Sequence, residues 1–349
     1  MKKWVSILFV VAITVFALTA CSKDDQKAED NEDRENKVSE KSQAPKDVYP
    51  LTGIGTNEKV DQRIVGVMVN NHSNARPQTG LSKADIVFEI LAEGKITRFL
   101  ALFQSEQPEV VGPVRSAREY YFELANGYDA LYIYHGAARF VDDMIKTRGI
   151  EHLNGAYYDN DGHLFKRESF RKAPHNSYLQ FDAVVDVAEE KGYDMKRNYE
   201  SLPFLTKDEI SALEGEQAAH VEIVYSTNPM EIVEYDYDEA SGKYNRSNDR
   251  EQTVELETKE AIQADNVFII QTHHEIIDDD GRRAVDIESG GEAYLLQKGK
   301  LQKLQWENRN GRILPIKDGQ PVGFVPGKTW INVIPSSPGL EQSVHVSNE

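Results

Sequence analysis

The chain has 349 residues, a formal charge of −18 and a single cysteine, Cys21. An acidic field of that size argues against nucleic acid as a direct ligand and against attachment to anionic lipid through a basic patch. One cysteine excludes internal disulfides, zinc–thiolate sites and iron–sulfur clusters, and a chain of this length builds its core without such staples.

The N-terminus carries the first signal. Lys2 and Lys3 precede an uncharged apolar run, Trp4 to Leu18, which is followed by Leu18-Thr19-Ala20-Cys21. A basic start, a short apolar core and small residues at a cut site mark a secretory signal over residues 1–20. The apolar core is shorter than the roughly 20 residues of a membrane span. The tetrapeptide resembles the bacterial lipobox, which implies that Cys21 becomes an acylated (palmitate-type) N-terminus anchored on the extracytoplasmic face of the cell membrane. Residues 21–48 are polar and charge-rich, so the lipidated cysteine is expected to lead into a disordered tether. Some 27 residues of random coil reach roughly 30 Å.

Two folded parts are expected after the tether, with a boundary near residues 201–219. In residues 49–200, β-like runs alternate with helical ones, predicting a mixed α/β domain. Strands are predicted at Arg63–Val69, Ile86–Glu93, Ile96–Phe103 and Leu131–Tyr134. Helices are predicted at Ser116–Asn126, Ala137–Thr147 and Phe181–Lys191. Residues 201–349 read as a mostly antiparallel β-rich domain. Its strands are predicted at Val221–Tyr225, Glu231–Tyr237, Thr253–Leu256 and Asn266–Thr272, with several more between Arg283 and Pro335. Turn signals such as Asp280-Gly281 and Asn310-Gly311 separate them. The fold class is thus α+β.

Polar chemistry concentrates in the first part. If Gly94-Lys95 is a two-residue hairpin turn, Leu91 opposes Arg98, and Glu89 and Glu93 share a face with it. Such a cluster is either a site or a register-fixing ion-pair group. Ser116-Ala-Arg-Glu119 fits a capping box, which accounts for Ser116 and Glu119 structurally. Arg115 and Arg118 have no such account, and two guanidiniums at a helix start suit an anion unless nearby acids neutralise them. His135, at a strand end, and His175, in Pro174-His-Asn176, have the chemistry of a general base or ligand, although a structural role is the simpler reading of each. His273-His274 falls in the second part, on opposite strand faces.

The loop Tyr157–Glu168 matches some EF-hand positions but has Tyr157 where a carboxylate is required, so an ordinary polar turn is favoured. Asp278-Asp-Asp-Gly281 reads as a hairpin turn, and Trp306 and Trp330 as core residues rather than sugar-stacking platforms. No Walker loop, nucleophile elbow or His-Glu-x-x-His occurs, and no metal or cofactor is expected.

Three segments carry a family resemblance. Asn71-His-x-x-Ala-Arg76-Pro-Gln-x-Gly80-Leu-x-x-Ala-Asp85, Glu89-x-x-x-Glu93-Gly-x-Ile-Thr-Arg98-Phe and Gly112-Pro-Val-Arg-Ser-Ala-Arg118 resemble the YerB family of bacterial lipoproteins. Pro174-His175-Asn176 and Gly327-Lys-Thr-Trp330 extend the likeness over nearly the whole chain beyond the tether. The family is one of unknown function. The resemblance implies a two-part fold and places Asn71, Arg76, Glu89, Glu93, Arg98, Arg115, Arg118 and His175 at motif positions, without catalytic roles. The expectation is a membrane-anchored binding or accessory module of the cell envelope, working with an unidentified protein partner. The alternative is an envelope hydrolase or transferase that uses Glu89 or Glu93 as acid or base and the arginines to hold an anion.

Overall fold

The structure, a computed structural model, describes residues 45–226 and 232–348. The signal segment, Cys21 and most of the expected tether lie outside the described residues. The tether's last residues do not: Asp47–Val48 pairs with Gly55–Thr56, and Asp47 Oδ2 accepts from Val60 N at 3.1 Å. Among the described residues no helix is long and apolar enough to cross a membrane.

The elements that position the candidate site are, in chain order, β1 (Val65–Asn70), β2 (Ile86–Leu91), β3 (Thr97–Phe103), α1 (Glu119–Gly127), β4 (Leu131–Tyr134), α2 (Arg139–Thr147), β5 (His152–Asn154), β6 (Ser177–Gln180) and α3 (Val184–Glu190). There follow β7 (His220–Val224), β8 (Ile232–Asp238), β9 (Lys243–Asn248), β10 (Asn266–Thr272), β11 (Gly291–Gln297), β12 (Lys300–Arg309), β13 (Arg312–Lys317), β14 (Thr329–Pro335) and β15 (Val344–Ser347). The chain is β-rich, and among the described residues strands outnumber the short helices.

Ten strands of a twelve-stranded mixed sheet follow the order β13-β12-β11-β10-β14-β2-β3-β1-β4-β5, and the short strands Gln320–Pro321 and Glu216–Gln217 pair with β13 and β12. Strand β14 runs parallel to both β10 and β2 and so joins the two sequence halves. Strands from both of the parts expected at residues 49–200 and 201–349 lie in this sheet, and Pro45 onward clusters as one compact unit. The antiparallel run β10 to β13 and the second sheet, β9-β8-β7-β15, lie in the latter half. The parallel neighbours β4 and β5 are linked by α2, since a parallel pair needs a crossover.

Both faces of the large sheet are covered. Phe88, Ile90 and Leu100 face the side packed by Tyr121, Phe122 and Val141 of α1 and α2. Val87, Phe99 and Ala101 face the side packed by β7, β8 and α3. This two-sided cover is why β1, β2 and β3 are buried at every residue rather than alternating.

Three expectations are corrected. The β2–β3 connection is a three-residue turn, Glu93–Lys95, with Gly94 and Lys95 both at φ 65°. Leu91 therefore opposes Thr97, and Ile90 opposes Arg98. A one-residue slip flips every side chain, so Glu89 and Arg98 lie on opposite faces of the sheet. Helix α1 begins at Glu119, not Ser116, with Arg118 as an N-cap that makes no side-chain cap bond. The N–H groups of Val114, Arg115 and Ala117 donate instead to Ser177, Met68 and Gly136 carbonyls, which holds residues 114–117 extended. Glu119 is then free to bond Arg148 at 2.6 Å. Finally, Thr253–Leu256 contributes only a bridge, Val254 to Ala261, because the chain turns back between Glu255 and Glu260.

Candidate functional site

Strands β1 and β4 are parallel, and β1 and β2 both run against β3. The carboxyl ends of β1, β2 and β4 therefore meet at one end of the sheet, together with the start of β3. Ligands of open sheets with parallel strands commonly bind at the carboxyl ends of those strands. Here that end carries Asn70 at the end of β1, His72 just beyond it, Glu93 after β2, Arg98 in β3, and Arg115 in the extended lead-in to α1.

These five residues wall a cavity of about 260 Å³. Glu93 sits between two guanidiniums: Arg98 Nη2 donates to its Oε2 at 2.8 Å, and Arg118 Nε donates to Oε1. Burial works to raise the Glu93 carboxyl, but the two arginines outweigh it and hold the group below its ordinary value. Arg98 also reaches Ser116 O at 3.3 Å.

Arg115 is the unbalanced charge. It has no carboxylate partner among the described residues, only the Pro174 carbonyl at 3.5 Å, and its Nε is buried without a hydrogen-bond partner. Burial first, and then the like charges of Arg98 and Arg118, push its guanidinium down to about 10. Three arginines share one carboxylate, which leaves the site net positive within a strongly acidic chain.

Two histidines flank Arg115. The rings of His72 and His175 are 4.6 Å apart, and Asn70 Nδ2 donates to His175 Nδ1 at 2.9 Å. His72 Nδ1 accepts from Asn74 N at 3.1 Å. Burial lowers both imidazoles; for His72 the positive charges of Arg76 and Arg115 add to it, and for His175 those of His72, Arg115 and Arg171. His135 is outside the cavity wall: its Nδ1 meets Ser177 Oγ at 2.7 Å, and burial lowers its value as well.

The other expected site residues are placed elsewhere. Glu89 is fully buried and closed over on the opposite face. Arg246 Nη2 bonds both its oxygens at 2.9 Å, Trp330 Nε1 donates at 2.8 Å and Thr97 Oγ1 at 2.8 Å. Arg246 is itself packed over the rings of Trp330 and Phe99, at 4.6 and 5.2 Å. Asn71 joins this network through Thr97 and Asn248, each at 2.7 Å. Arg76 donates to Asn71 O at 3.0 Å and pairs with Asp249 at 2.5 Å.

The structure brings Glu93, Arg98, Arg115 and Arg118 together, and it pairs Glu89 with Arg246 rather than with Arg98. Sequence reasoning did not single out Asn70 or His72, although His72 lies inside the quoted Asn71–Asp85 motif. Nothing in the sequence marks Arg246, which stands 157 residues from Glu89. Trp306 and Trp330 are both buried core residues, as expected. Asp159 of the EF-like loop is taken by Arg167, and no group of metal-ligating side chains occurs among the described residues.

Comparison with known proteins covers most of the chain. Residues 51–194 match the N-terminal domain, and 221–331 the C-terminal domain, of a family described as protein of unknown function (DUF3048). The chain is 44% identical over 337 residues to "Putative lipoprotein YerB" of Bacillus subtilis, covering 96% of each chain. It also resembles the crystal structure of the YerB protein from that organism, with a TM-score of 0.80 and 46% identity, covering 87% of this chain and 100% of that one.

Proposed function

Since the chain belongs to the DUF3048 family, that of the YerB lipoprotein, we propose that it is a lipid-anchored binding module of the cell envelope whose arginine-walled cavity holds an anionic group. Cys21 carries the anchor on the extracytoplasmic face of the membrane. The acidic body does not take up nucleic acid, and it acts on or with an envelope partner within reach of the tether.

The observation that supports this reading is Arg115: a cation lining an open cavity, with a buried donor and no carboxylate partner among the described residues. A charge so placed is offset when an anion enters, and a guanidinium fork suits a carboxylate or phosphate. The alternative of an acid–base hydrolase draws less support. Glu89 has no opening to a substrate, and Glu93 is held ionised by Arg98 and Arg118, a poor state for a general acid.

Calorimetric titration of the detergent-solubilised full-length protein with inorganic phosphate and with acetate tests the proposal. Binding is expected to weaken about tenfold or more in Arg115→Gln, since a charged hydrogen bond contributes roughly 1.5–3 kcal/mol. Equal binding by the wild type and a folded Arg115→Gln, or none by the wild type, refutes it.

A further inference from the structure

The arginine-walled cavity holds one group of the wrong sign for an anion, the carboxylate of Glu93. Its side chain is 20% exposed and lines the cavity, so a ligand there can reach it. An ionised carboxylate has about four acceptor positions. Among the described residues only two are taken: Arg98 Nη2 donates to Oε2, and Arg118 Nε donates to Oε1. The same two arginines keep the group ionised, so it accepts hydrogen bonds and donates none.

The rest of the wall mainly donates. Arg115 gives Nη1 to Pro174 O, and its Nη2 makes no hydrogen bond among the described residues. His72 Nδ1 accepts from Asn74 N, which places the ring hydrogen of the neutral imidazole on Nε2. The Asn70 amide is engaged at both ends, its Oδ1 by His72 N and its Nδ2 on His175 Nδ1. Ala92, Gly94 and Ile96 bring no polar side chain. An oxyanion in the cavity thus meets donors from Arg115 and His72 and a charged acceptor on the turn that joins β2 to β3.

Such a wall separates ligands of equal charge and shape. A fully ionised oxyanion such as sulfate turns a bare negative oxygen towards Glu93 and is repelled. Hydrogen phosphate has one O–H, which donates to Glu93 in a charge-assisted bond while its other oxygens accept from the arginine and histidine. A phosphate monoester has largely lost that hydrogen at neutral pH, since its second pKa is about 6. A diester has none to give. Resting on the anion reading above, we infer that Glu93 is the specificity-determining residue of this cavity, and that the ligand is an oxyanion that keeps a hydrogen, inorganic phosphate.

Calorimetric titration of the detergent-solubilised full-length protein with phosphate, fluorophosphate and sulfate tests this. In mildly alkaline buffer all three are tetrahedral dianions, and only phosphate carries a hydrogen. Phosphate is expected to bind at least about tenfold more tightly than either of the others, the effect of one hydrogen bond to a charged group. In Glu93→Gln the amide can donate to a bare oxygen, so sulfate and fluorophosphate should gain and the preference should shrink to about threefold or less. A purely structural Glu93 would change the affinity for all three alike, so an undiminished preference in the folded variant overturns the inference. Should Glu93→Gln not fold, the wild-type ratios decide alone. Sulfate or fluorophosphate binding to the wild type as well as phosphate does overturns the inference and leaves the anion reading standing. Binding of none of the three refutes both.

Discussion

Replacing Arg246 with methionine should destabilise the protein severely while leaving the anion cavity intact. Arg246 is 1% exposed and Glu89 0%. The guanidinium makes the only ion pair of Glu89 among the described residues. In Arg246→Met the buried carboxylate keeps donors from Trp330 and Thr97 but loses its counter-charge. Breaking a buried pair from one side costs about 3–5 kcal/mol. A folded part of about 300 residues unfolds with an entropy near 2.1 cal/mol/K per residue, or about 0.6 kcal/mol/K, so Tm should fall by about 5–8 °C. The double variant Glu89→Gln/Arg246→Met buries no charge and lets the new amide oxygen accept from Trp330, so it should recover most of the loss. Differential scanning calorimetry on the wild type and the two variants gives the comparison. A single-variant drop below about 2 °C, or a double variant no better than the single, would show that uncompensated charge is not what the network guards against. A tenfold loss of phosphate binding in a folded double variant would put Glu89 back in the site.

Three further outcomes are expected. Cys21→Ser should move the protein from the membrane fraction to the soluble or unprocessed one on cell fractionation; unchanged anchoring and processing would refute the lipid assignment. Asp85 is fully buried, and burial lifts its carboxyl to about 6 against the Ser105 and Gln104 donors that pull it down. A carboxyl raised in the folded state stabilises below its unfolded value near 3.8 and loses that contribution as pH rises through 6. Wild-type stability should therefore fall by up to about 3 kcal/mol relative to Asp85→Asn between pH 4 and 7, and parallel denaturation profiles would refute this. His72 is held below the ordinary imidazole value and is neutral at pH 7. Phosphate affinity should thus rise as pH falls and His72 gains charge. His72→Gln should flatten that rise, and an unchanged pH profile in the variant would remove His72 from the site.

The hairpin shows where reading the sequence stops. Ile86–Leu91 and Thr97–Phe103 announce themselves as strands, but whether Gly94-Lys95 or Glu93–Lys95 makes the turn is a backbone choice that their composition leaves open. Choosing the three-residue turn moved Glu89 to the far side of the sheet. It also left Glu93, outside the ladder, able to reach Arg98 and Arg118. The capping box failed for a similar reason: local preference at Ser116 yields when the carbonyls of Ser177 in β6, Met68 in β1 and Gly136 beyond β4 accept from Val114, Arg115 and Ala117.

The sequence by itself determined the basic, apolar and small-residue pattern that ends in Cys21, the acidic charge, the family, the β-rich character and the presence of unexplained arginines near 98–118. Each is a matter of residue type and near-neighbour spacing. Only the tertiary structure decided that Glu89 pairs with Arg246 and that Arg115, with no carboxylate partner among the described residues, stands beside His72 in an open cavity. Which acid meets which arginine depends on register and on contacts between residues far apart in the chain, and a single sequence does not encode those at short range.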